Sequence, residues 1–351
     1  MTPPTLRILV VDDSALYRQM VHNCLRRIPG VEVVGTAGDG AEALDAVERL
    51  RPDLVTLDVQ MPTMDGIGFL REVRRRAIPL GVVMVSGLTA QGARATTDAL
   101  LEGAFDSILK PAMSDLGAGR EALATELSAK IAAYRAARDH ARAGEAPVPK
   151  ARLPAAPGER AATVVVIGAS TGGPAALREV IPRLPATLAA PVVLVQHIAA
   201  SFTGALAARL DELSALHVVE AVEGMPLVAG TVAVAPGGRH LALGRGADGV
   251  RCTLVDAPPR HGCRPSVDVA LESAVGVFGG GVTAVILTGM GRDGTDGCLL
   301  VRRSGGRVLA QSPCGCAVYG MPKAVAEAGC ADAILPLERM VDAIVAATRT
   351  R

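Results

Sequence analysis

Two successive α/β domains, each built on a mainly parallel sheet, are the architecture that three observations predict. The chain has 351 residues, more than one hydrophobic core ordinarily supports. Short Val, Ile and Leu runs alternate with amphipathic segments in both halves, the pattern of buried strands joined by helices. Hydrophobic residues make up 50% of the chain but aromatics only 2%, with no Trp, so the cores must be packed from Val, Leu, Ile and Ala.

In the first half the strand runs are LRILVV, VEVVGT, DLVTLD, GVVMVS and DSILK, with helices predicted after Ser14, near Gly40, after Gly66 and after Ser114. This gives a first domain over residues 1–134. From Arg135 the composition turns to Pro, Ala and charged residues without a periodic apolar face, which predicts a linker over 135–162. Strands TVVVIGA, PVVLVQH, TVAVA and TAVILTG then predict a second α/β domain over 163–351, doubly wound and mainly parallel, and not a repeat of the first.

The bulk numbers narrow the function. A formal net charge of +1 gives no electrostatic reason to expect nucleic acid or an anionic membrane as partner. The opening apolar run ends in two aspartates, too short for a signal-peptide core, and no later run reaches membrane-spanning length, so a cytoplasmic protein without membrane insertion is expected. The seven cysteines form no CxxC pair and read as reduced, mostly buried thiols.

Asp12 and Asp13 follow the first strand and Asp58 ends the third. Right-handed βαβ connections bring these three carboxylates to one sheet edge. Such a cluster calls for a cation, and hard oxygen donors with room for water and phosphate suit Mg²⁺. Asp58 is the natural nucleophile, with Ser86 and Lys110 at the ends of later strands placed to bind phosphoryl oxygens. The segments VVDDS, LDVQMPTMDG, VMVSG and ILKP, in this order, resemble the response-regulator receiver family over nearly the whole first domain. The resemblance implies a flavodoxin-like fold, phosphotransfer from a chemotaxis histidine kinase to Asp58, and reorientation of Ser86 and Phe105 as a switch.

In the second domain, Gly168-Ala169-Ser170-Thr171-Gly172 reads GxSxG between a strand and a helix whose first turn carries Pro174. This context exposes Ser170 at a sharp turn, where N–H groups at the helix start can stabilise an oxyanion. A nucleotide cradle is the competing use of such a turn, but neither GxGxxG nor GxxxxGK[ST] is present there. His197 ends the strand PVVLVQH and is the favoured general base, with His240 and His261 as further possible site residues. Asp293, in GMGRDG after TAVILTG, can accept the far ring N–H of His197. The chain order Ser, His, Asp differs from that of the ordinary α/β-hydrolases and points to a convergent triad.

The segments IGASTGGP, VQHIAASFTGALAARL, APGGRH, RPSVDV, ILTGMGRDG and YGMPKA resemble the chemotaxis methylesterase domain. That resemblance implies Ser170 as nucleophile, His197 as base and Asp293 as orienting carboxylate, with Thr171 and Met290 assisting or supplying an oxyanion N–H. It also implies methyl-accepting chemotaxis receptors as substrate, hydrolysis of their glutamate methyl esters and deamidation of their glutamines, with no cofactor for the ester step. Between Gln311 and Tyr319 the chain departs from the family pattern by lacking the usual acidic residues, and it carries Cys314 and Cys316 there, which read as loop thiols. Phosphorylation of Asp58 would add roughly −1.5 to −2 charge and bias a closed pair of domains towards an open one. The alternatives are a non-catalytic output domain, a nucleotide-binding regulator and, less favoured, a DNA-binding output.

Overall fold

The computed structural model describes residues 5–87, 89–111, 116–142 and 163–349. The chain divides into two compact units, Met1–Asp139 and His140–Arg351.

In the first unit the Val/Ile/Leu runs become β1 (Leu6–Val11), β2 (Val31–Ala37), β3 (Leu54–Asp58), β4 (Gly81–Ser86) and β5 (Asp106–Leu109). Helices α1 (Ala15–Leu25), α2 (Gly40–Leu50), α3 (Gly66–Arg75), α4 (Ala90–Leu101) and α5 (Leu116–Arg142) alternate with and follow them. Among the described residues the sheet runs β2-β1-β3-β4-β5 with every pairing parallel. This is the flavodoxin-like order, whose reversal between β1 and β3 opens a crevice at the carboxyl ends of those strands. Val11 pairs with Leu57, so Asp12 and Asp58 emerge side by side into that crevice. Val10, Leu54, Val83 and Ile108 of the sheet pack with Leu123, Leu127 and Ile131, a four-residue spacing that gives α5 one apolar face.

Helix α5 runs to Arg142, into the stretch expected to be linker from residue 135. Ala and Arg are strong helix formers. The added turns are also fixed to their own unit: Arg135 Nη2 donates to Pro29 O and Gly30 O, and Arg138 pairs with Asp53 at 2.8 Å. The remainder of the expected linker, 143–162, lies outside the described residues.

The second unit holds β6 (Val164–Ala169), α6 (Gly173–Val180), β7 (Val192–Gln196), α7 (Ala200–Leu213), β8 (His217–Glu220) and β9 (Thr231–Val234). A hairpin of β10 (His240–Gly246) and β11 (Gly249–Val255) precedes α8 (Val267–Phe278), β12 (Val282–Ile286) and α9 (Thr295–Arg303). The unit closes with β13 (Arg307–Gln311), α10 (Met321–Glu327), β14 (Ala333–Leu335) and α11 (Leu337–Thr348). Its main sheet runs β14-β13-β12-β6-β7-β9-β8, all parallel among the described residues. The first strand of this unit, β6, therefore lies between β12 and β7, and the strand order switches there. The antiparallel hairpin stands apart from this sheet, and Leu243 N donates to Ser273 Oγ of α8 at 3.0 Å. Val166, Val193, Ala284 and Ile286 bury against Val267, Ala270, Leu271 and Ala274 of α8. Each fully buried aliphatic side chain of this kind contributes about 1.5–3 kcal/mol. Among the described residues no helix is long and apolar enough to cross a membrane.

Candidate active site

The first unit concentrates charge at its crevice. Asp12, Asp58 and Lys110 are all buried, and Lys110 Nζ lies 2.7 Å from both Asp12 Oδ2 and Asp58 Oδ2. Asp58 Oδ1 accepts from Val59 N and Asp12 Oδ1 from Ser14 N, so one oxygen of each carboxylate is held by the backbone. Burial raises the Asp12 pKa, and the Asp58 charge adds to it, against the pull of Lys110. Burial pulls the Lys110 pKa down, but the charges of Asp58 and Asp12 outweigh it and leave the ammonium pKa raised. Lys110 Nζ also sits 4.7 Å from the centre of the Tyr17 ring, whose hydroxyl donates to Pro111 O. Carboxylate oxygens of Asp12, Asp13 and Asp58 lie within 4.8 Å of one another. Three acidic oxygens against one ammonium leave an excess of negative charge, so this donor set fits Mg²⁺.

Ser86 is buried at the end of β4, and among the described residues its hydroxyl meets Gly87 O and Gly92 O at 3.4 and 3.5 Å, both long for O–H···O bonds. Helix α3 begins against Asp58: a Cβ on Gly66 would stand 2.5 Å from Asp58 O. Phe105 does not join this group. It precedes β5, at the opposite end of that strand from Lys110, and its ring packs edge-on against Tyr134 of α5 with centroids 5.2 Å apart.

In the second unit three strand ends converge. Ser170 follows β6, His197 follows β7, and Asp293 lies in the loop between β12 and α9. The parallel register Ala169↔Gln196, with His197 N donating to Ala169 O at 3.0 Å, sets Ser170 and His197 at neighbouring positions. Ser170 N donates to Thr288 O, and Gly173 N closes a tight turn onto Ser170 O at 2.7 Å. This elbow needs its glycines. Gly172 has φ +74°, and a Cβ on Gly173 would lie 2.0 Å from Gln196 Oε1. A Cβ on Gly289 would press to 2.7 Å from Ser170 Cβ.

His197 Nε2 and Asp293 Oδ2 are 2.8 Å apart. The carboxylate can only accept, so the neutral ring carries its proton on Nε2 and leaves Nδ1 as the basic nitrogen. Asp293 Oδ2 also accepts from Val267 N at 2.7 Å, and Oδ1 accepts from Ser266 Oγ at 2.7 Å and Asp268 N at 3.2 Å. Asp293 thus sits at the start of α8, where free N–H groups and the helix dipole favour an anion. Burial opposes its charge, yet the bonds from His197, Ser266 and Val267 hold its pKa down at about 2. Burial would likewise lower the His197 pKa, but the partners Asp293 and Cys263 raise it to about 9. Cys263 Sγ lies 3.5 Å from Nδ1, and among the described residues no hydrogen bond joins Ser170 Oγ to the ring.

Thr171 is buried, and its carbonyl accepts from Thr288 Oγ1 at 3.0 Å. Met290 exposes its side chain, and among the described residues no backbone hydrogen bond takes up its N–H. His240 and His261 lie outside this constellation. The first donates from Nε2 to Pro258 O, and the second sits 3.3 Å from both Asp268 and Asp296. Several residues were not legible beforehand. Gln196 Nε2 ties Ser170 O to His197 O, Thr288 N is held by Gln311 Oε1, and Ser266 and Cys263 meet the Asp293–His197 pair. The only signals were the polar residue in VVLVQ and the serine of RPSVDV at a helix start. In the departing segment, burial pushes the Cys316 thiol up to about 12, while Cys314 is exposed.

A buried aspartate and lysine cluster at the crevice of a flavodoxin-like sheet, followed in the same chain by an α/β unit with a serine elbow and a His–Asp pair, defines a response regulator joined to a hydrolase. Residues 8–118 match the response regulator receiver domain, and residues 165–344 match the CheB methylesterase family. The chain belongs to the CheB methylesterase family. It is 46% identical to a protein-glutamate methylesterase/protein-glutamine glutaminase of Symbiobacterium thermophilum, over 97% of each chain. A protein of the same name from a Nocardioides species is 45% identical, over 95% of this chain and 93% of the other. The crystal structure of the Thermotoga maritima CheB methylesterase catalytic domain is 42% identical, with a TM-score of 0.52, covering 53% of this chain and 99% of that one.

Proposed function

We propose that this protein hydrolyses glutamate methyl esters on methyl-accepting chemotaxis receptors, deamidates receptor glutamines at the same site, and is activated by phosphorylation of Asp58. The observation that carries the hydrolytic reading is the Asp293–His197 bond at the strand ends that flank the Ser170 elbow. With Nε2 bound to Asp293, His197 Nδ1 takes the Ser170 hydroxyl proton as Oγ attacks the ester carbonyl. The Met290 N–H, with N–H groups at the start of α6, supports the developing oxyanion. The imidazolium then protonates the leaving group, methanol from an ester or ammonia from an amide. Water, deprotonated by the same nitrogen, releases glutamate from the acyl-enzyme.

In the receiver unit, Asp58 is the proposed phosphoacceptor from a chemotaxis histidine kinase. Asp12, Asp13 and Asp58 would hold Mg²⁺, which when bound neutralises phosphoryl oxygens. Lys110, already 2.7 Å from Asp58, and the Ser86 hydroxyl would bind the added phosphoryl group. Its work on receptor tails places the protein in the cytoplasm, with the receptor as its partner and no nucleic acid.

Methanol and ammonia release from membranes bearing methylated or amidated receptor tests the chemistry. Ser170→Ala should lower both by at least about 10³-fold while leaving receptor binding intact. Undiminished release by Ser170→Ala would overturn the assignment.

A further inference from the structure

Cys263 stands beside the proposed base with no part in the reaction above. Arg260 and Cys263 exchange backbone hydrogen bonds of 3.0 and 2.8 Å across a two-residue turn. His261 and Gly262 within that turn have φ of 51° and 77°, the two positive values of a type I′ turn. Two backbone bonds therefore fix Cys263, and its half-buried Sγ stands 3.5 Å from His197 Nδ1. Nε2 of that ring is committed to Asp293, so in the neutral ring Nδ1 offers a lone pair to the thiol. Thiol, imidazole and carboxylate lie in one hydrogen-bonded line, an arrangement that activates sulfur as a nucleophile. The lone pair is the one Ser170 needs, and it takes one proton at a time.

The other cysteines stand in different surroundings. Burial pushes Cys252 up to about 11 and Cys316 up to about 12, and it raises Cys24, Cys298 and Cys330 as well. Cys314 is exposed and serves as an internal comparison.

We propose that Cys263 is a peroxide-reactive thiol whose oxidation takes His197 away from Ser170 and so brakes hydrolysis; the braking rests on the function proposed above, the reactivity does not. The thiol proton passes to Nδ1 and the sulfur attacks one oxygen of hydrogen peroxide, breaking the O–O bond. Sulfur is oxidised by two electrons to the sulfenic acid, and the departing hydroxide takes the proton from Nδ1 and leaves as water. The new S–O–H group fills the gap between Sγ and Nδ1 and donates to that nitrogen. Two equivalents of a thiol reductant return the cysteine, yielding one disulfide and one water.

The test treats the full-length chain with hydrogen peroxide and dimedone, a sulfenic-acid trap, and follows each cysteine by peptide mass spectrometry. Cys263 should be trapped about tenfold faster than Cys314, and His197→Gln should slow Cys263 by about tenfold without changing Cys314. Continued silence of buried Cys252 and Cys298 reports that the variant is folded. Without the trap, peroxide should cut methanol release by about tenfold in the wild type, reversibly with dithiothreitol, while the treated-to-untreated ratio of Cys263→Ser stays near one. Trapping at Cys263 no faster than at Cys314, trapping indifferent to His197, or equal inhibition of wild type and Cys263→Ser would overturn the proposal. Trapping is read without substrate, so a chain that releases no methanol at all counts against the hydrolase reading, and the trapping rates still judge the thiol.

Discussion

Asp293→Asn removes one charge from a site where four donors converge. Oδ2 accepts from His197 Nε2 at 2.8 Å and Val267 N at 2.7 Å, and Oδ1 from Ser266 Oγ at 2.7 Å and Asp268 N at 3.2 Å. The amide oxygen should take the Oδ2 position, because both donors there would otherwise face an N–H. The amide nitrogen then meets Ser266, whose hydroxyl can turn to accept, and only the long bond from Asp268 N is lost. The variant should therefore fold, at a cost of about 1–2 kcal/mol. The ring keeps its proton on Nε2, so the loss in catalysis is the loss of a charge-assisted bond to the imidazolium, about 1.5–3 kcal/mol. At 1.36 kcal/mol per decade that is about 10- to 150-fold in kcat/KM. The base must be neutral to act, so activity rises with pH through the His197 pKa, raised to about 9 by Asp293 and Cys263 against burial. Removing the Asp293 charge should move this ascending limb down towards 6.5, the ordinary histidine value. Methanol release measured across pH reads both quantities. Unchanged activity with an unchanged limb would refute the reasoning. A loss of about 10⁴-fold would refute the amide orientation, since that is the size expected when the ring is held in the wrong tautomer.

Other perturbations follow from the same contacts. Gly173→Ala places a Cβ 2.0 Å from Gln196 Oε1 and 2.9 Å from Ala169 Cβ, so it should displace Gln196 from Ser170 O. It should lower the melting temperature and cut kcat by at least about tenfold, and a variant that retained both would show that the elbow tolerates a side chain. Lys110→Ala leaves Asp12 and Asp58 buried together without their shared ammonium, which should destabilise the first unit by about 3–5 kcal/mol. Mg²⁺ should recover much of that loss, so the rise in melting temperature on adding Mg²⁺ should be larger in Lys110→Ala than in the wild type. An equal rise in both would mean that the cation does not bind among these carboxylates.

The sequence was most informative where strands are buried on both faces. The LRILVV, LVTLD and VVVIGA runs appear as β1, β3 and β6 with nearly the expected limits, because continuous Val and Ile runs have few other stable uses. The hairpin β10–β11 and strands β8 and β14 were not read, being short or only partly buried, and β13 was not because RVLAQ offers only a three-residue apolar run, a pattern that competes with loops. The carboxylates, Ser170, His197 and Asp293 were legible because each sits directly after or close to a strand end, and parallel topology carries strand ends to one edge. Ser266 and Cys263 were not, because they come from a loop and a helix start distant in sequence from Asp293 and His197.

Methanol release by the full-length chain, with and without Mg²⁺ and a small-molecule phosphodonor, in wild type and Asp58→Asn, tests most directly whether one chain couples an aspartyl phosphate to ester hydrolysis. Release that rises with phosphodonor in the wild type and stays at its basal level in Asp58→Asn is the expected result. Stimulation that persists in Asp58→Asn, or a wild type indifferent to phosphodonor, would contradict the coupling.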